Sequence, residues 1–207
     1  MVGRYGLEAW EREYRRGVLW RGAPEDRPAP RGLTLDLGCG DGKGMVSILE
    51  DGIRVVGLDI SRGALNLLRD RLSRGGLRSD LVRGDIRHLP FPPGSFDSVV
   101  CDFVLGHFVA ADRVEAVEEV RRVLKPGGRL LFRAFSRRDM RFGRGEEVEE
   151  GTFRSASGID HHFFDEGEVR GLLEGFRILD LRERMRERRY DGATVTRAVI
   201  SATAQRT

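Results

Sequence analysis

Leu33-Thr34-Leu35-Asp36-Leu37-Gly38-Cys39-Gly40-Asp41-Gly42 is the stretch on which the fold turns. Apolar residues lead into an acid, three glycines follow at alternate positions, and a helix-like segment runs over 43–50. A strand feeding a glycine-rich turn and then a helix is where a parallel α/β sheet brings its backbone close to a nucleotide-like ligand. The turn departs from the dinucleotide fingerprint, which needs a glycine where Lys43 stands. Asp36 closes the strand just before the first glycine. A carboxylate there repels a pyrophosphate and favours a cationic ligand.

Further along, Ile53-Arg54-Val55-Val56-Gly57-Leu58-Asp59 reads as a second buried strand ending in an acid. Asp59 follows the glycine turn by about 20 residues, the spacing at which an acid accepts hydrogen bonds from ribose hydroxyls. No arginine stands there to suggest a 2′-phosphate. Asp59 or Ser61 also suits the N-cap of the next helix, and Ser61 is the better cap. Leu81-Val82-Arg83-Gly84-Asp85-Ile86 reads as a third strand with Gly84-Asp85 at its tip. In Arg121-Arg122-Val123-Leu124-Lys125-Pro126-Gly127-Gly128, Pro126 stops a helix and the two glycines permit a left-handed turn into a fifth strand.

Strands are expected near 33–37, 53–59, 80–85, 96–102 and 128–135, with helices near 5–16, 43–51, 61–73 and 112–124. This alternation predicts a parallel sheet covered on both faces. After 135 an irregular charged stretch runs to about 159, then a helix near 165–174. Two strands follow near 176–187 and 194–204, joined at the turn Asp191-Gly192.

These stretches resemble the class I S-adenosylmethionine-dependent methyltransferases, whose first motif is an acid followed by glycines at alternate positions. Leu89-Pro90-Phe91 and Gly94-Ser95-Phe96-Asp97 after Asp85 fit the same family. The resemblance covers 32–135. It implies an α/β, Rossmann-like three-layer sandwich with a seven-stranded, mostly parallel sheet and an antiparallel last strand. It implies that the turn of Gly38, Cys39 and Gly40 passes the methionine part of the cofactor, with Asp36 near its ammonium. Asp59 and Ile60 would hold the ribose. Asp85, with Gly84 and Ile86, would hold the adenine. Cys101 joins this set at the tip of the fourth strand, although it also reads as a small core residue. Trp10-Glu11-Arg12-Glu13-Tyr14 and Gly17-Val18-Leu19-Trp20 resemble the N-terminal entry of the tellurite-resistance and thiopurine methyltransferase branch. Trp10 and Tyr14 share a helix face. Trp10 is expected to pack on the sheet and Trp20 to act as a lid.

Methyl transfer is an in-line displacement at an activated methyl, so positioning and water exclusion dominate. An acceptor that is a thiolate, a neutral amine or a soft anion needs no base. The candidate proton acceptors or substrate anchors are Asp102 and His107, after the fourth strand, and His161. No metal is expected, because His161 and His162 with Asp160 and Glu166 fall short of a ligand set. Arg137, Arg138 and Arg141 suit an anionic substrate, but pairing with the acids at 146–150 is the default. The alternation of Arg182, Arg184, Arg186 and Arg188 reads as a solvated strand face, with an RNA-binding stripe as the alternative. Val100 stands where a cytosine-C5 enzyme has proline before its cysteine. Asp102-Phe103-Val104-Leu105 departs from the Pro-Pro motif of amino-directed nucleic-acid enzymes.

The expected reaction takes S-adenosylmethionine to S-adenosylhomocysteine and methylates a small molecule. The alternatives are an RNA or protein methyltransferase, and a non-catalytic partner subunit that binds the same cofactor. The chain has 207 residues and a net charge of +3, with Lys43 and Lys125 its only lysines. Length and composition predict one domain over 1–207, with 1–30 covering the cofactor and 136–162 as a substrate-side insertion. Two separated cysteines predict a reduced, cytoplasmic compartment. No apolar run suits a membrane span. A monomer or homodimer is expected.

Overall fold

The computed structural model describes residues 4–16, 28–190 and 192–207. The expectations for Trp20 and Asp191 fall outside them.

The apolar run before the glycine turn forms β1 (Thr34–Leu37), buried at every position. A strand covered on both faces needs no polar alternation. β1 pairs in parallel with β2 (Val55–Asp59) on one side and β4 (Phe96–Asp102) on the other. β3 (Asp80–Arg83) lies beyond β2, and β5 (Leu124–Phe135) beyond β4. β10 (Ala193–Arg206) runs antiparallel to β5, and β9 (Phe176–Tyr190) forms the edge against it. The order is β3-β2-β1-β4-β5-β10-β9, seven strands with the last in sequence antiparallel to its neighbours. The order reverses between β1 and β4, and the crevice above that point is where such sheets bind ligands.

Alternate residues of each central strand serve opposite cores. Val100 and Leu131 pack with Met45 and Ile48 of α2 (Lys43–Glu50) and with Leu65, Leu68 and Leu72 of α3 (Arg62–Arg74). Val99, Cys101, Leu130 and Phe132 pack on the other face. Their partners are Ala116, Val117, Val120 and Val123 of α4 (Ala110–Val123) and Val169 of α5 (Glu166–Leu172). The result is a three-layer sandwich. α1 (Arg4–Arg15) lies against α3, and Glu11 Oε1 accepts a hydrogen bond from the Arg62 backbone N–H at 2.8 Å.

Two expectations change. β5 begins at Leu124, directly after α4, so Pro126 sits inside the strand rather than at the helix stop. Only Gly127 is left-handed, at φ +75°. Gly128 is needed for room, because a Cβ there would stand 2.8 Å from the Lys125 carbonyl oxygen. The stretch after 135 is also not irregular throughout. It contains a second antiparallel sheet of β6 (Glu146–Glu149), β7 (Thr152–Arg154) and β8 (Asp160–His162), in the order β6-β7-β8. Strands of three and four residues are too short to show a period of two against so many charges.

Candidate active site

The glycine turn is built by hydrogen bonds to its neighbours. Cys39 N–H donates to the Leu58 carbonyl at 3.0 Å, and Gly40 N–H donates to Asp59 Oδ2 at 2.9 Å. Asp59 Oδ1 accepts from Ser61 N–H at 2.8 Å, while Ser61 Oγ caps α3 through Ala64 N–H at 3.1 Å. Ser61 is therefore the cap. Asp59 is a strut between β2 and the glycine turn as well as a wall of the crevice. Burial pushes its carboxyl above the usual value, and the amides of Ser61 and Gly40 pull it back.

Gly38, Gly40 and Gly42 all have positive φ. A Cβ on Gly38 would stand 2.5 Å from a Val104 methyl, and one on Gly40 would stand 2.6 Å from Tyr14 Oη. Tyr14 therefore reaches from α1 down onto the glycine turn. Burial, then Asp59 and Asp41, push its phenol well above the ordinary value. Trp10, one turn earlier, does not pack on the sheet. It lines the crevice and meets the His107 ring edge-on, with centroids 4.7 Å apart.

The crevice is a cavity of about 770 Å³ between α1 and the carboxyl ends of β1, β2, β4 and β5. Asp36, Gly38, Cys39, Gly40, Asp59, Ile60, Gly84, Asp85 and Ile86 all lie on its wall. Cys101 does not. It has no exposure and belongs to the core on the α4 face, so its place in the candidate set is corrected. Burial holds both thiols above the usual cysteine range. Asp85 reaches the wall but is held by Arg87, at 3.0 Å (Nε to Oδ1) and 2.6 Å (Nη2 to Oδ2). Arg87 also pairs with Asp112 at 3.0 Å.

The far end of the cavity holds the candidate acceptor site. Asp102 lines it but is clamped by Arg133 at 2.8 and 2.7 Å, a bidentate pair that fixes the carboxylate. Phe103, next in the chain, is the one described non-glycine residue with positive φ, at 59°. Strained backbone of this kind collects at ligand clamps. Its ring meets Phe135 at a centroid distance of 4.5 Å. His107 lines the cavity from the short 3-10 helix Leu105–His107. Its Nδ1 donates to the Asp160 carbonyl at 2.8 Å. Burial lowers its pKa, against the pull of that carbonyl and the Phe103 backbone. His161 is not on the wall. It stands behind His107, ring centroids 5.2 Å apart, and burial with His107 and Arg141 nearby pushes its pKa down to about 3.

Arg141, one of the three arginines weighed for an anionic substrate, lies on this wall, as do Arg197 and Val199, which were not foreseen as site residues. Buried Asp139 receives Arg141 Nε at 2.7 Å and Arg197 Nε at 2.9 Å. Arg141 therefore pairs within its own turn, not with the acidic run; Arg137 reaches Glu150, Asp165 and Glu168. The signal for this end was present in Arg133, a charge inside the apolar run from Leu130 to Phe135. His162 is buried and structural. Its Nδ1 meets Thr152 Oγ1 at 2.7 Å, and its Nε2 lies 2.6 Å from Glu168 Oε1 in a poorly aligned contact. Among the described residues no cluster of ligands suits a metal ion.

Comparison with known proteins gives the family. The family described as "Methyltransferase domain" matches residues 35–132. A methyltransferase-family protein of Encephalitozoon cuniculi is 35% identical over 164 residues, covering 72% of this chain and 71% of its own. Demethylmenaquinone methyltransferase of Clavibacter sepedonicus is 38% identical over 120 residues, covering 57% of this chain and 48% of its own. This chain thus spans about half the length of that relative. A SAM-dependent methyltransferase structure from Methanosarcina mazei superposes with a TM-score of 0.73 at 27% identity, over 87% of this chain and 94% of its own. The chain belongs to the class I S-adenosylmethionine-dependent methyltransferases, and S-adenosylmethionine is its cofactor. None of the three singles out the tellurite-resistance branch.

Proposed function

We propose that this chain, as one methyltransferase domain, transfers the methyl group of S-adenosylmethionine to a small molecule held at the Phe103 end of the crevice. The observation that carries the reading is the continuity of one cavity from the glycine turn to the Phe103–Phe135 wall. Its volume of about 770 Å³ lies in the range of small-ligand sites. The glycine turn suits the cofactor in charge, since Asp36 and Asp59 line the cavity beside it and the ligand carries a sulfonium and an ammonium.

When bound, S-adenosylmethionine supplies a methyl group on a sulfonium, activated for displacement. Asp36, Gly38, Cys39 and Gly40 are the residues proposed to hold its methionine end, Asp59 and Ile60 its ribose, and Gly84, Asp85 and Ile86 its adenine. Asp85 reaches an adenine amino group only while keeping Arg87 or exchanging it. Trp10 and Tyr14 cover the crevice and exclude water. Asp102, already paired, is proposed to position Arg133 rather than to take a proton. His107 is the polar group on the wall best placed to touch an acceptor, and His161 supports its ring from behind. Much of the rate is assigned to alignment at near-attack distance.

A cytoplasmic setting is supported by the two free, buried cysteines. No described helix is long and apolar enough to cross a membrane. A monomer is the simplest assembly consistent with a site built within one chain.

The test is incubation with methyl-tritiated S-adenosylmethionine and three pools: small-molecule extract, total RNA and total protein. Label in the small-molecule pool is expected. Label confined to RNA or protein contradicts the acceptor class, and label nowhere favours a partner subunit.

A further inference from the structure

We propose that the acceptor is an anion, a carboxylate on or beside an aromatic or conjugated ring, and that Arg141 with Arg197 forms its clamp. This rests on the proposed methyl transfer and deepens it.

Among the described residues at the acceptor end, each arginine is matched by an acid except at one point. Arg133 is matched by Asp102, and Arg154 by Asp160 at 2.8 Å. Asp139, its side chain fully buried, is shared by two arginines, Arg141 at 2.7 Å and Arg197 at 2.9 Å. Its other contacts are the backbone amides of Arg141 at 3.2 Å and Ala198 at 3.1 Å. One carboxylate beside two guanidiniums leaves one positive charge on the cavity wall. The strand register adds no acid, since Arg186 of β9 stands opposite Arg197.

Arg141 Nη2 is buried and has no hydrogen-bond partner. A buried charged donor left unmade is costly, and such groups are found paired with a ligand, an ion or water. Both arginines line the same cavity as Phe103. The Arg141 guanidinium lies 3.6 Å from the Phe135 ring centroid and Arg197 lies 5.7 Å from it. Stacking fixes the guanidinium plane, and the part of each side chain left exposed on the cavity wall, 26% for Arg141 and 40% for Arg197, is what a carboxylate would meet. The adjoining face of Phe103 suits the ring of the same ligand.

The experiment is calorimetric titration of the full chain already saturated with S-adenosylhomocysteine. The probes are benzoate, salicylate and indole-3-carboxylate, each against its neutral carboxamide. At least one carboxylate is expected to bind roughly tenfold tighter than its amide. Arg141→Met is expected to abolish that preference while leaving S-adenosylhomocysteine affinity within about twofold. Arg141→Lys, which keeps the charge but loses the fork, is expected to retain a weaker preference. If Arg141→Met does not fold, as its melting curve would show, Arg141→Lys and Arg197→Met carry the comparison. Equal binding of acids and amides across the panel, or a preference untouched by these variants, overturns the anion clamp. Failure of S-adenosylhomocysteine to bind at the first step overturns the cofactor reading instead, so the two failures are distinct.

Discussion

At Gly40 two demands coincide: a left-handed φ of 53° and no room, with Tyr14 Oη 2.6 Å from any Cβ. Gly52 shares the first demand, at φ +76°, but has nothing within 4 Å. Gly52→Ala should therefore lose only about 1–2 kcal/mol of stability to backbone strain. Gly40→Ala should lose that and also displace Tyr14, weakening S-adenosylhomocysteine at least tenfold by calorimetry. Equal affinities in the two variants would refute the cradle. His161 supplies a pH signature. Its ordinary pKa is 6.5 and its folded value about 3, so between these the unfolded chain binds more protons. Stability is then expected to fall as pH drops from 6.5 toward 3. His161→Phe should flatten that part of the melting-temperature profile, and an unchanged slope would argue against the buried neutral ring. The glycines and the acids at 36, 59 and 85 were legible because their chemistry is local. Asp59's service to Gly40 and Ser61, and Asp85's to Arg87, were not, because a carboxylate's partner is set by the fold.

At the scale of elements, the helix–strand alternation up to 135 was legible because buried parallel strands and amphipathic helices write distinct patterns. The β6–β8 sheet was not, since its order comes from contacts distant in sequence. Thr152, His162, Glu168 and Arg113 tie β7 and β8 to α4 and α5, with Arg113 at 3.4 Å from Glu168 and 2.9 Å from Glu149. His162→Ala should destabilise the chain by about 1–3 kcal/mol, the cost of stranding buried partners. S-adenosylhomocysteine affinity should hold, because none of these side chains lines the cavity. Thermal melting and calorimetry on the one variant check both halves. The covering role of α1 was half legible. Trp10 and Tyr14 were placed on one face, but only the fold shows that face turned to the crevice rather than to the sheet.

At the scale of the molecule, the sheet order and its switch point between β1 and β4 put the proposed cofactor and acceptor walls in one cavity. The alternating arginines of β9 stand opposite Val195, Arg197, Val199 and Ser201 of β10. By register this stripe shares the sheet face of Arg197, a relation the alternation alone did not reveal. The small-molecule reading expects only weak retention of tRNA and rRNA on filters at physiological salt. Tight binding with a steep salt dependence would favour an RNA acceptor.

The central claim is that the crevice under α1 is a sulfonium-cofactor site. Thermal melting with S-adenosylhomocysteine, and in parallel with NADH, tests it most directly. At a hundred times its dissociation constant a ligand adds about 2.7 kcal/mol, which in a chain of this size is a rise of roughly 5–10 °C. That rise with S-adenosylhomocysteine and none with NADH is the predicted result. No rise with saturating S-adenosylhomocysteine, alongside a rise with NADH, would contradict it.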